Sequence, residues 1–329
     1  MKQIFITGAA GFIGFHLARY LRKRGDVVIG LDVFNDYYDP RLKRARQQKL
    51  LAEGIQIVEG DIRNTALLKE ILERYQITHI AHLAAQAGVR HSITHPNDYI
   101  DSNLQGFASV LEACRARPGI KLIYASSSSV YGLNKKIPFH VDDKTDEPAN
   151  LYGATKKANE VMAHAYHHLY GLPVTALRYF TVYGPWGRPD MAYYRFSRLI
   201  CEGRPIQVFN QGLMRRDFTY IDDIVKGTAA AIDLGAASEI FNLGNNRPVE
   251  LLYLIQLLEQ ALEKKAIMEM LPMQPGEVIE TFADIEKSTH LLGFRPSVSL
   301  EEGIARFVDW FKQYYLVEEN GALLLEGMR

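Results

Sequence analysis

The chain of 329 residues has little cysteine, no net charge and no long hydrophobic run. Its two cysteines, Cys114 and Cys201, lie in unrelated contexts, which suits a reducing compartment and provides no metal framework. Basic and acidic residues both total 38, so the charge does not favour nucleic acid or an anionic membrane as a partner. No apolar stretch approaches the ~20 residues of a membrane span, and 2–7 has a strand pattern where a signal peptide would lie. We therefore expect a cytoplasmic globular protein that binds neither nucleic acid nor membrane.

The first half of the sequence alternates short apolar runs with segments of helical pattern. Such an alternation predicts an α/β fold with a parallel sheet covered on both faces. The second half is less regular, and its end, 316–329, is expected to fray or to pack on a partner. The predicted strands are 3–7, 27–32, 55–61, 79–84, 121–127, 174–180, 205–210 and 239–244, and the later predicted helices lie near 222–234, 249–264 and 300–315.

The segment TGAAGFIG (7–14) follows the first predicted strand and opens the first helix. Gly8, Gly11 and Gly14 have the spacing G-x-x-G-x-x-G, which permits a tight turn and close approach of the backbone to a pyrophosphate. The helix then presents its N-terminal N–H groups and partial positive charge to the phosphates. In this strand–turn–helix setting, the glycines predict a dinucleotide site in a Rossmann-type, doubly wound sheet.

Asp32 ends the second predicted strand, where an acid accepts hydrogen bonds from an adenosine ribose. Its charge would repel a 2′-phosphate, and Val33 and Phe34 supply no compensating arginine, so we expect NAD rather than NADP. A helix cap or a turn is the alternative role for Asp32. Asp61, which closes the third strand, is a candidate for an adenine contact.

Tyr152 and Lys156 form a Y-x-x-x-K pair whose spacing puts both side chains on one face of a helix. A phenol with a pKa near ~10 is a poor base at neutral pH unless a neighbouring cation lowers that pKa. The ammonium of Lys156 and a positively charged nicotinamide would both do so, which predicts a general base. Tyr131 and Lys135 have the same spacing but lie in a turn around Gly132, so we expect Tyr131 to be structural.

For two other groups of residues, a functional role is the less favoured interpretation. His164 and His168 are four residues apart on the predicted Tyr152 helix, but no third ligand is suggested, and we expect no metal site. The basic run RLKRARQQK (41–49) is expected to be the solvated face of a short helix, with contact to a polyanion as the alternative.

Taken together, these residues identify a family. Over nearly its whole length the chain resembles the extended short-chain dehydrogenases/reductases that act on nucleotide sugars. Within that family it most resembles the epimerases of UDP-glucuronate. The motifs that carry the resemblance are TGAAGFIG, GDIRN, HLAAQAGVRHS, SSSSVYG, YGATK, NDYYDPRLK, FTVYGPWGRPDMA, VFNQGLMRRDFTYIDDI and MQPGEV.

The resemblance implies a UDP-sugar substrate, tightly bound NAD and reversible oxidation at C4 of the sugar, which gives an epimerase that interconverts UDP-glucuronate and UDP-galacturonate. It implies that Tyr152, Lys156 and Ser127 are catalytic. The implied cofactor-binding residues are Gly8, Gly11, Phe12, Ile13, Gly14, Asp32, Asp61, Ile62, Leu83, Ala84, Ala85, Tyr152 and Lys156. The implied substrate-binding residues are Arg90, Ser127, Ser128, Ser129, Tyr152, Thr181, Arg188, Val208, Phe209, Arg216 and Glu277.

Individual substrate roles also follow from the resemblance. Arg216 matches the arginine that pairs with the diphosphate, and Arg188 the residue near the uronate end. Val208 and Phe209 would lie beside the uracil, and Gln274 and Glu277 near the ribose. Alternative roles are an ion pair of Arg216 with a surface acid such as Asp217, a loop charge for Arg188, and a plain strand end for Thr181.

The serine segment 126–129 contains no acid. Dehydratases and decarboxylases of the same family carry acids at the positions of Ser128 and Ser129. Serine hydroxyls would instead bind the sugar carboxylate and hold it in the plane of the new C4 carbonyl, where loss of CO₂ is stereoelectronically poor. The alternative is that both serines only satisfy backbone groups.

Three other functions were considered: a decarboxylase or 4,6-dehydratase, an epimerase of uncharged UDP-hexoses, and a non-catalytic NAD-binding module. The retained Tyr–Lys pair disfavours the module. The expected division is an NAD-binding domain at 1–180 and about 217–245, and a smaller mixed α/β UDP-sugar lobe at about 181–216 and 246–315. The resemblance also implies a homodimer built on the Tyr152 helix and its neighbour.

Overall fold

The computed structural model describes residues 1–273, 278–319 and 322–325, the last four and 316–319 as backbone only. The strands are β1 (Gln3–Thr7), β2 (Val27–Asp32), β3 (Gln56–Glu59), β4 (His79–His82), β5 (Lys121–Ser127), β6 (Val174–Tyr179), β7 (Thr181–Tyr183), β8 (Ile206–Phe209), β9 (Arg215–Tyr220), β10 (Ser238–Leu243), β11 (Pro248–Glu250), β12 (Met268–Leu271), β13 (Glu280–Thr281), β14 (Leu316–Glu319) and β15 (Ala322–Leu325). The helices are α1 (Phe12–Lys23), α2 (Pro40–Ala52), α3 (Thr65–Arg74), α4 (Val89–Thr94), α5 (Pro96–Tyr99), α6 (Gly106–Arg115), α7 (Leu151–Tyr170), α8 (Ala192–Cys201), α9 (Ile221–Leu234), α10 (Leu251–Leu262), α11 (Glu286–Leu292) and α12 (Leu300–Tyr315).

A seven-stranded sheet forms the centre of the fold, in the order β10-β6-β5-β4-β1-β2-β3. All of its strand pairs are parallel. The strand order reverses between β1 and β4, and ligands of such sheets bind in the crevice at the carboxyl ends of the strands beside that reversal. The glycine segment after β1 and the serine segment at the end of β5 both lie at this edge.

The C-terminal half forms smaller sheets beside the central one. Strand β9 pairs with β7, β11 and β13, and β12 pairs with β8. The apolar faces of α8, α10 and α12 join one core with α1 and α9, so this part packs continuously on the Rossmann-type sheet. This mixed α/β part brings β7, β8 and β9 to the same side as the carboxyl ends of the central strands.

Most of the predicted elements are confirmed. Strands β1, β2 and β5 have the predicted ends, and the helix expected at 300–315 is α12. The third strand is shorter than expected, since it spans only Gln56–Glu59, and Gly60 just beyond it donates its N–H to the carbonyl of Asp32. The expectation of a frayed tail is wrong for the backbone of 316–319 and 322–325, which forms the antiparallel hairpin β14–β15, while packing of the tail on a partner stays a prediction.

A buried ion pair joins the serine segment, α7 and β6. The guanidinium of Arg178 makes a bidentate contact with Glu160, and the two side chains are 2% and 4% exposed. Ser126 donates its hydroxyl to the same carboxylate, and Arg178 also donates to the Tyr131 hydroxyl. Tyr131 stacks on Phe139 and is buried. The structural role predicted for Tyr131 is therefore confirmed.

Replacing Glu160 with glutamine is expected to lower the free energy of unfolding by about 3–5 kcal/mol, because the buried guanidinium then loses its charged partner. Urea unfolding followed by circular dichroism measures this loss. Glu112→Gln is the control, since Glu112 pairs with Arg115 on the surface of α6 and its loss should leave the transition nearly unchanged. Equal losses in the two variants would contradict the prediction.

Among the described residues, no helix is both long and apolar enough to cross a membrane.

Candidate active site

A cavity of about 1070 Å³ runs along the carboxyl ends of the central strands. This volume exceeds what one small ligand needs and leaves room for two neighbouring ligands. The predicted site residues that line it are Gly8, Gly11, Phe12, Ile13, Gly14, Asp32, Asp61, Ile62, Leu83, Ala84, Ala85, Arg90, Ser127, Ser128, Ser129, Tyr152, Lys156, Thr181, Arg188, Phe209 and Arg216.

The glycine segment forms the turn that the sequence predicted. A Cβ on Gly14 would lie 2.2 Å from the carbonyl oxygen of Gly8, and one on Gly8 would lie 2.7 Å from the amide nitrogen of Ala84. Both contacts are with backbone atoms, which cannot move aside. The turn therefore exposes the first amides of α1 to the cavity, where a pyrophosphate would accept their hydrogen bonds. This cradle fits a dinucleotide.

Asp32 has the turn role considered for it, and its ribose contact stays a prediction. Its carboxylate accepts the N–H groups of Ala10 and Phe34, each at 3.0 Å, and so stabilises the turns around the cavity. It also lines the cavity at the end of β2, as a ribose acceptor would. Asp61 lines the cavity too, and its carboxylate accepts the N–H of Arg63 at 2.8 Å.

The expectation of a solvated basic face on α2 is wrong for two residues. Arg46 is fully buried and donates to the carbonyls of Ala10, Trp186 and Gly187. Lys43 is 7% exposed and lines the cavity, with its ammonium bonded to Asn35. Both cations are buried because they satisfy loop carbonyls that belong to no helix or strand ladder. Arg46 thus ties the glycine segment to the loop that precedes Arg188.

Helix α7 carries the predicted Tyr–Lys pair. Asn150 caps it by accepting the N–H of Gly153 at 2.9 Å, and Gly171 ends it in a left-handed conformation. The cap starts the helix just before Tyr152, so the tyrosine lies in the first turn, facing the serine segment. Lys156 follows one turn later and donates to the carbonyl of Ala125 at 2.8 Å.

The electrostatics of this pair differ from the expectation of a lowered phenol pKa. Burial raises the pKa of Tyr152, and the hydrogen bond with Ser127 and the charge of Arg188 only partly oppose that increase. Burial also lowers the pKa of Lys156 to about 8. The expectation fails for the chain alone because burial penalises both charged forms.

The four serines divide their hydroxyls between three tasks. Ser126 points away from the cavity, to Glu160. Ser127 accepts the N–H of Ser129 at 3.1 Å, which stabilises the turn at the end of β5, and it also bonds Tyr152. Ser128 and Ser129 line the cavity. Hydrogen bonding to a backbone group, the alternative role considered for Ser128 and Ser129, is therefore observed at Ser127.

The predicted substrate residues that the structure describes line this one cavity, with the exception of Val208. Phe209 lines the cavity at the end of β8, but Val208 is fully buried in the core, because successive residues of a strand point to opposite faces. Gln274 and Glu277 lie outside the described residues. Arg90 places its guanidinium 4.4 Å from the centre of the Phe209 ring, and Arg216 donates to the carbonyl of Ile279 at 3.1 Å.

Asp217 makes backbone contacts that bear on one of the alternatives for Arg216. Its buried carboxylate accepts the amides of Asn245, Asn246 and Ala283. It therefore links β9 to the loop after β10 and to the segment after β13. It is not the surface acid that the ion-pair alternative requires.

Sequence reasoning missed two residues that hold Arg188. Asp190 makes a bidentate contact with the guanidinium of Arg188, and Tyr37 donates its hydroxyl to Asp190 at 3.1 Å. Asp190 is two positions from Arg188 in the GPWGRPDMA motif, so an Arg-x-Asp pair was a usable signal. The contact with Tyr37 joins residues 153 positions apart and had no local signal.

Known proteins are similar to this chain over most of its length. The model of the NAD dependent epimerase/dehydratase family matches residues 4–244. UDP-glucuronate 4-epimerase 3 of Arabidopsis thaliana is 50% identical over 331 aligned residues, which cover 95% of this chain and 77% of the relative.

Solved structures of epimerases are also similar to this chain. The crystal structure of UDP-glucuronic acid 4-epimerase from Bacillus cereus, in complex with UDP-glucuronic acid and NAD, has a TM-score of 0.89 and 39% identity, covering 96% of this chain and all of that one. Thermotoga maritima UDP-glucose 4-epimerase with UDP-glucose has a TM-score of 0.84 and 30% identity, covering 94% and 99%. This chain belongs to the NAD dependent epimerase/dehydratase family.

Proposed function

We propose that this protein is a UDP-glucuronate 4-epimerase, an isomerase that uses NAD to interconvert UDP-glucuronate and UDP-galacturonate. The relatives of that name, at about half identity over nearly the whole chain, support the proposal. The observation that carries it is the pairing of two groups across one cavity. Tyr152, Ser127 and Arg188 line the same cavity, where the first two would meet a sugar hydroxyl and Arg188 would bind a sugar carboxylate.

NAD would be held by the glycine segment, by Asp32 at the ribose and by the α7 pair at the nicotinamide end. When bound, it accepts a hydride from C4 of the sugar and returns it to the opposite face. The chain's residues do the rest. Tyr152 removes the proton from O4 while Ser127 bonds the same oxygen, and Tyr152 returns the proton after the 4-keto sugar has turned over in the site.

The remaining predicted residues would bind the substrate. Arg216 has the planar fork that pairs well with a diphosphate, and Phe209 offers a ring to the uracil. Ser128, Ser129 and Thr181 line the cavity and would donate hydroxyls to the carboxylate. Because no acid stands at Ser128 or Ser129, the site lacks the group that would drive elimination or decarboxylation.

Incubation with UDP-glucuronate and no added cofactor tests the proposal, with products identified by NMR. We expect UDP-galacturonate to appear until equilibrium is reached, because the purified protein retains NAD. UDP-glucose is the matched control and should turn over far more slowly, since it lacks the carboxylate. Loss of CO₂ or water as the main outcome, or equal turnover of both sugars, would contradict the assignment.

We also propose a homodimer and a cytoplasmic location. Helix α7 exposes Val161, Leu169 and Tyr170, whose apolar surface would be covered by a second copy through α6 and α7. Cys114 and Cys201 are both unpaired, as is usual in a reducing compartment.

A further inference from the structure

Three of the motifs that carry the family resemblance meet at one carboxylate. Tyr37 belongs to NDYYDPRLK, Gly88 to AGVRHS, and Arg188 and Asp190 to GPWGRPDMA. The Tyr37 hydroxyl lies 3.1 Å from Oδ2 of Asp190, and Nε of Arg188 lies 3.0 Å from Oδ1. A Cβ on Gly88 would lie 2.4 Å from the Tyr37 hydroxyl and 3.6 Å from Oδ2 of Asp190. Glycine at 88 thus makes room for the contact.

This cluster fixes the orientation of the Arg188 guanidinium. Asp190 engages Nε and Nη2, which form one edge of the planar fork. A guanidinium held along that edge can offer a ligand only its other edge. Both side chains line the cavity, and they are 25% and 27% exposed. The direction in which Arg188 meets a ligand is therefore set before the ligand arrives.

Asp190 keeps its charge although it is largely enclosed. Burial by itself would raise the pKa of this carboxyl, but the charge and hydrogen bonds of Arg188, with the hydrogen bond from Tyr37, lower it. The pair thus stays ionised at neutral pH and its two charges balance. Arg188 then recognises a carboxylate more through directed hydrogen bonds than through net positive charge.

We propose that Asp190, supported by Tyr37, is a positioning residue that sets the angle at which Arg188 holds the substrate carboxylate. The inference rests on the proposed function, because only a uronate carries that carboxylate. Its role is to keep the carboxylate in the plane of the C4 carbonyl while the keto sugar exists.

The chemistry gives this angle a consequence. If the carboxylate rotates out of that plane, the C5–C6 bond aligns with the carbonyl π system and breaks. CO₂ leaves, the electron pair of the bond enters the C4–C5 enolate, and a proton from solvent adds at C5. The product is a UDP-4-keto-pentose, and the hydride first taken from C4 either returns to that ketone, giving a UDP-pentose, or would stay with the cofactor. A loosely held carboxylate therefore diverts turnover from epimerisation to loss of CO₂.

The test measures the fraction of turnover lost as CO₂ from UDP-glucuronate labelled at C6. In the holoenzyme with Asp190→Asn, this fraction is expected to rise about tenfold, the factor that one charge-assisted hydrogen bond supplies. Tyr37→Phe removes one hydroxyl and is expected to give a smaller rise in the same direction. Tyr37→Phe also keeps the proposal testable if Asp190→Asn does not fold.

Asp26→Asn is the matched control. Arg24 and Asp26 form another Arg-x-Asp ion pair, at the start of β2 and away from the cavity. This control should lose stability without any change in the fraction lost as CO₂. If Asp190→Asn and Tyr37→Phe lower turnover but leave that fraction at the wild-type value, Asp190 is only structural and the proposal is wrong.

A binding measurement separates this proposal from the proposed function. In a Tyr152→Phe background, calorimetry gives the affinity ratio of UDP-glucuronate to UDP-glucose with and without Asp190→Asn. The ratio is expected to fall about tenfold. A ratio unchanged within about threefold would overturn the role of Asp190. If the wild type converts no UDP-glucuronate at all, the proposed function fails, and this arm still tests Asp190.

Discussion

Replacing Tyr152 with phenylalanine is expected to reduce the turnover of UDP-glucuronate by about 10³-fold. The variant keeps the ring and removes only the hydroxyl. The centroid of this ring lies 6.2 Å from that of Tyr99, in an edge-to-face arrangement. General acid–base catalysis contributes about 10²–10⁴-fold, and here the same hydroxyl both takes and returns the proton of O4. No other tyrosine in the described part of the chain bonds Ser127, so we expect no substitute base.

Single-turnover NMR of the NAD-loaded protein measures this loss, with bound nucleotide quantified after denaturation. Tyr131→Phe is the matched control because Tyr131 also begins a Y-x-x-x-K sequence. Its hydroxyl bonds Asn242 and Arg178 far from the reacting oxygen. Tyr131→Phe should lose some stability and retain its turnover of UDP-glucuronate. Activity of Tyr152→Phe within about tenfold of wild type would refute the base assignment.

Replacing Lys156 with methionine is expected to abolish most turnover and, at the same time, to stabilise the fold. Lys156 is 2% exposed, and burial lowers the pKa of its ammonium from 10.5 to about 8. At neutral pH the group is charged in both folded and unfolded chains, so the shift is a penalty of about 3 kcal/mol on folding. Methionine removes this penalty but leaves the carbonyl of Ala125 without its donor. We therefore expect a net gain of about 1–3 kcal/mol.

The pH dependence gives this second prediction a distinctive sign. A lysine whose folded pKa is lowered destabilises the fold fully below the folded pKa, and the penalty disappears as pH rises past the unfolded pKa. The advantage of Lys156→Met should therefore shrink between pH 8 and pH 10.5. Urea unfolding of nucleotide-free protein at several pH values measures it, since bound NAD would add its own stabilisation. A variant less stable than wild type at pH 7 would contradict the burial argument.

The two pKa shifts also bear on how the pair works. In the chain alone, burial raises the pKa of the Tyr152 phenol, and it lowers the pKa of Lys156, which still carries its charge at neutral pH. A phenol in that state is a poor base at neutral pH. The positive nicotinamide is therefore the contribution that the chain lacks, and we expect proton removal from O4 to depend on the oxidised cofactor. Such dependence prevents the site from deprotonating a sugar that it cannot oxidise.

Local patterns explain why much of the fold could be predicted. The strand–turn–helix around Gly8, Gly11 and Gly14 depends on neighbours within eight positions, as does the pairing of Tyr152 with Lys156. Short apolar runs located the central strands to within a few residues. Interactions between residues that are close in the chain can be recognised from the sequence, and the glycine turn and the Tyr–Lys pair are of this kind.

The errors have a different origin. Arg46 and Lys43 were expected in solvent because a charged run usually is. Inside the fold, however, the carbonyl of Trp186, on a distant loop, binds Arg46, and that of Asn35, on the preceding loop, binds Lys43. Val208 was assigned to the uracil beside Phe209, although strand alternation turns it into the core. That alternation was visible in the sequence, but which face of β8 meets the cavity depends on how β8 packs on the rest of the molecule.

The sequence by itself determined the chemistry available to this protein: a glycine turn for a dinucleotide, a Tyr–Lys pair on one helix face, and a serine segment without an acid. Only the tertiary structure decided how these groups are positioned and oriented. Packing brings Tyr37 within hydrogen-bonding distance of Asp190, which is far from it in the chain, and so completes the cluster around Arg188. Packing also removes Arg46 and Tyr152 from water, which raises the pKa of Tyr152. Distances and desolvation of that kind are properties of the folded state, and chain order does not encode them locally.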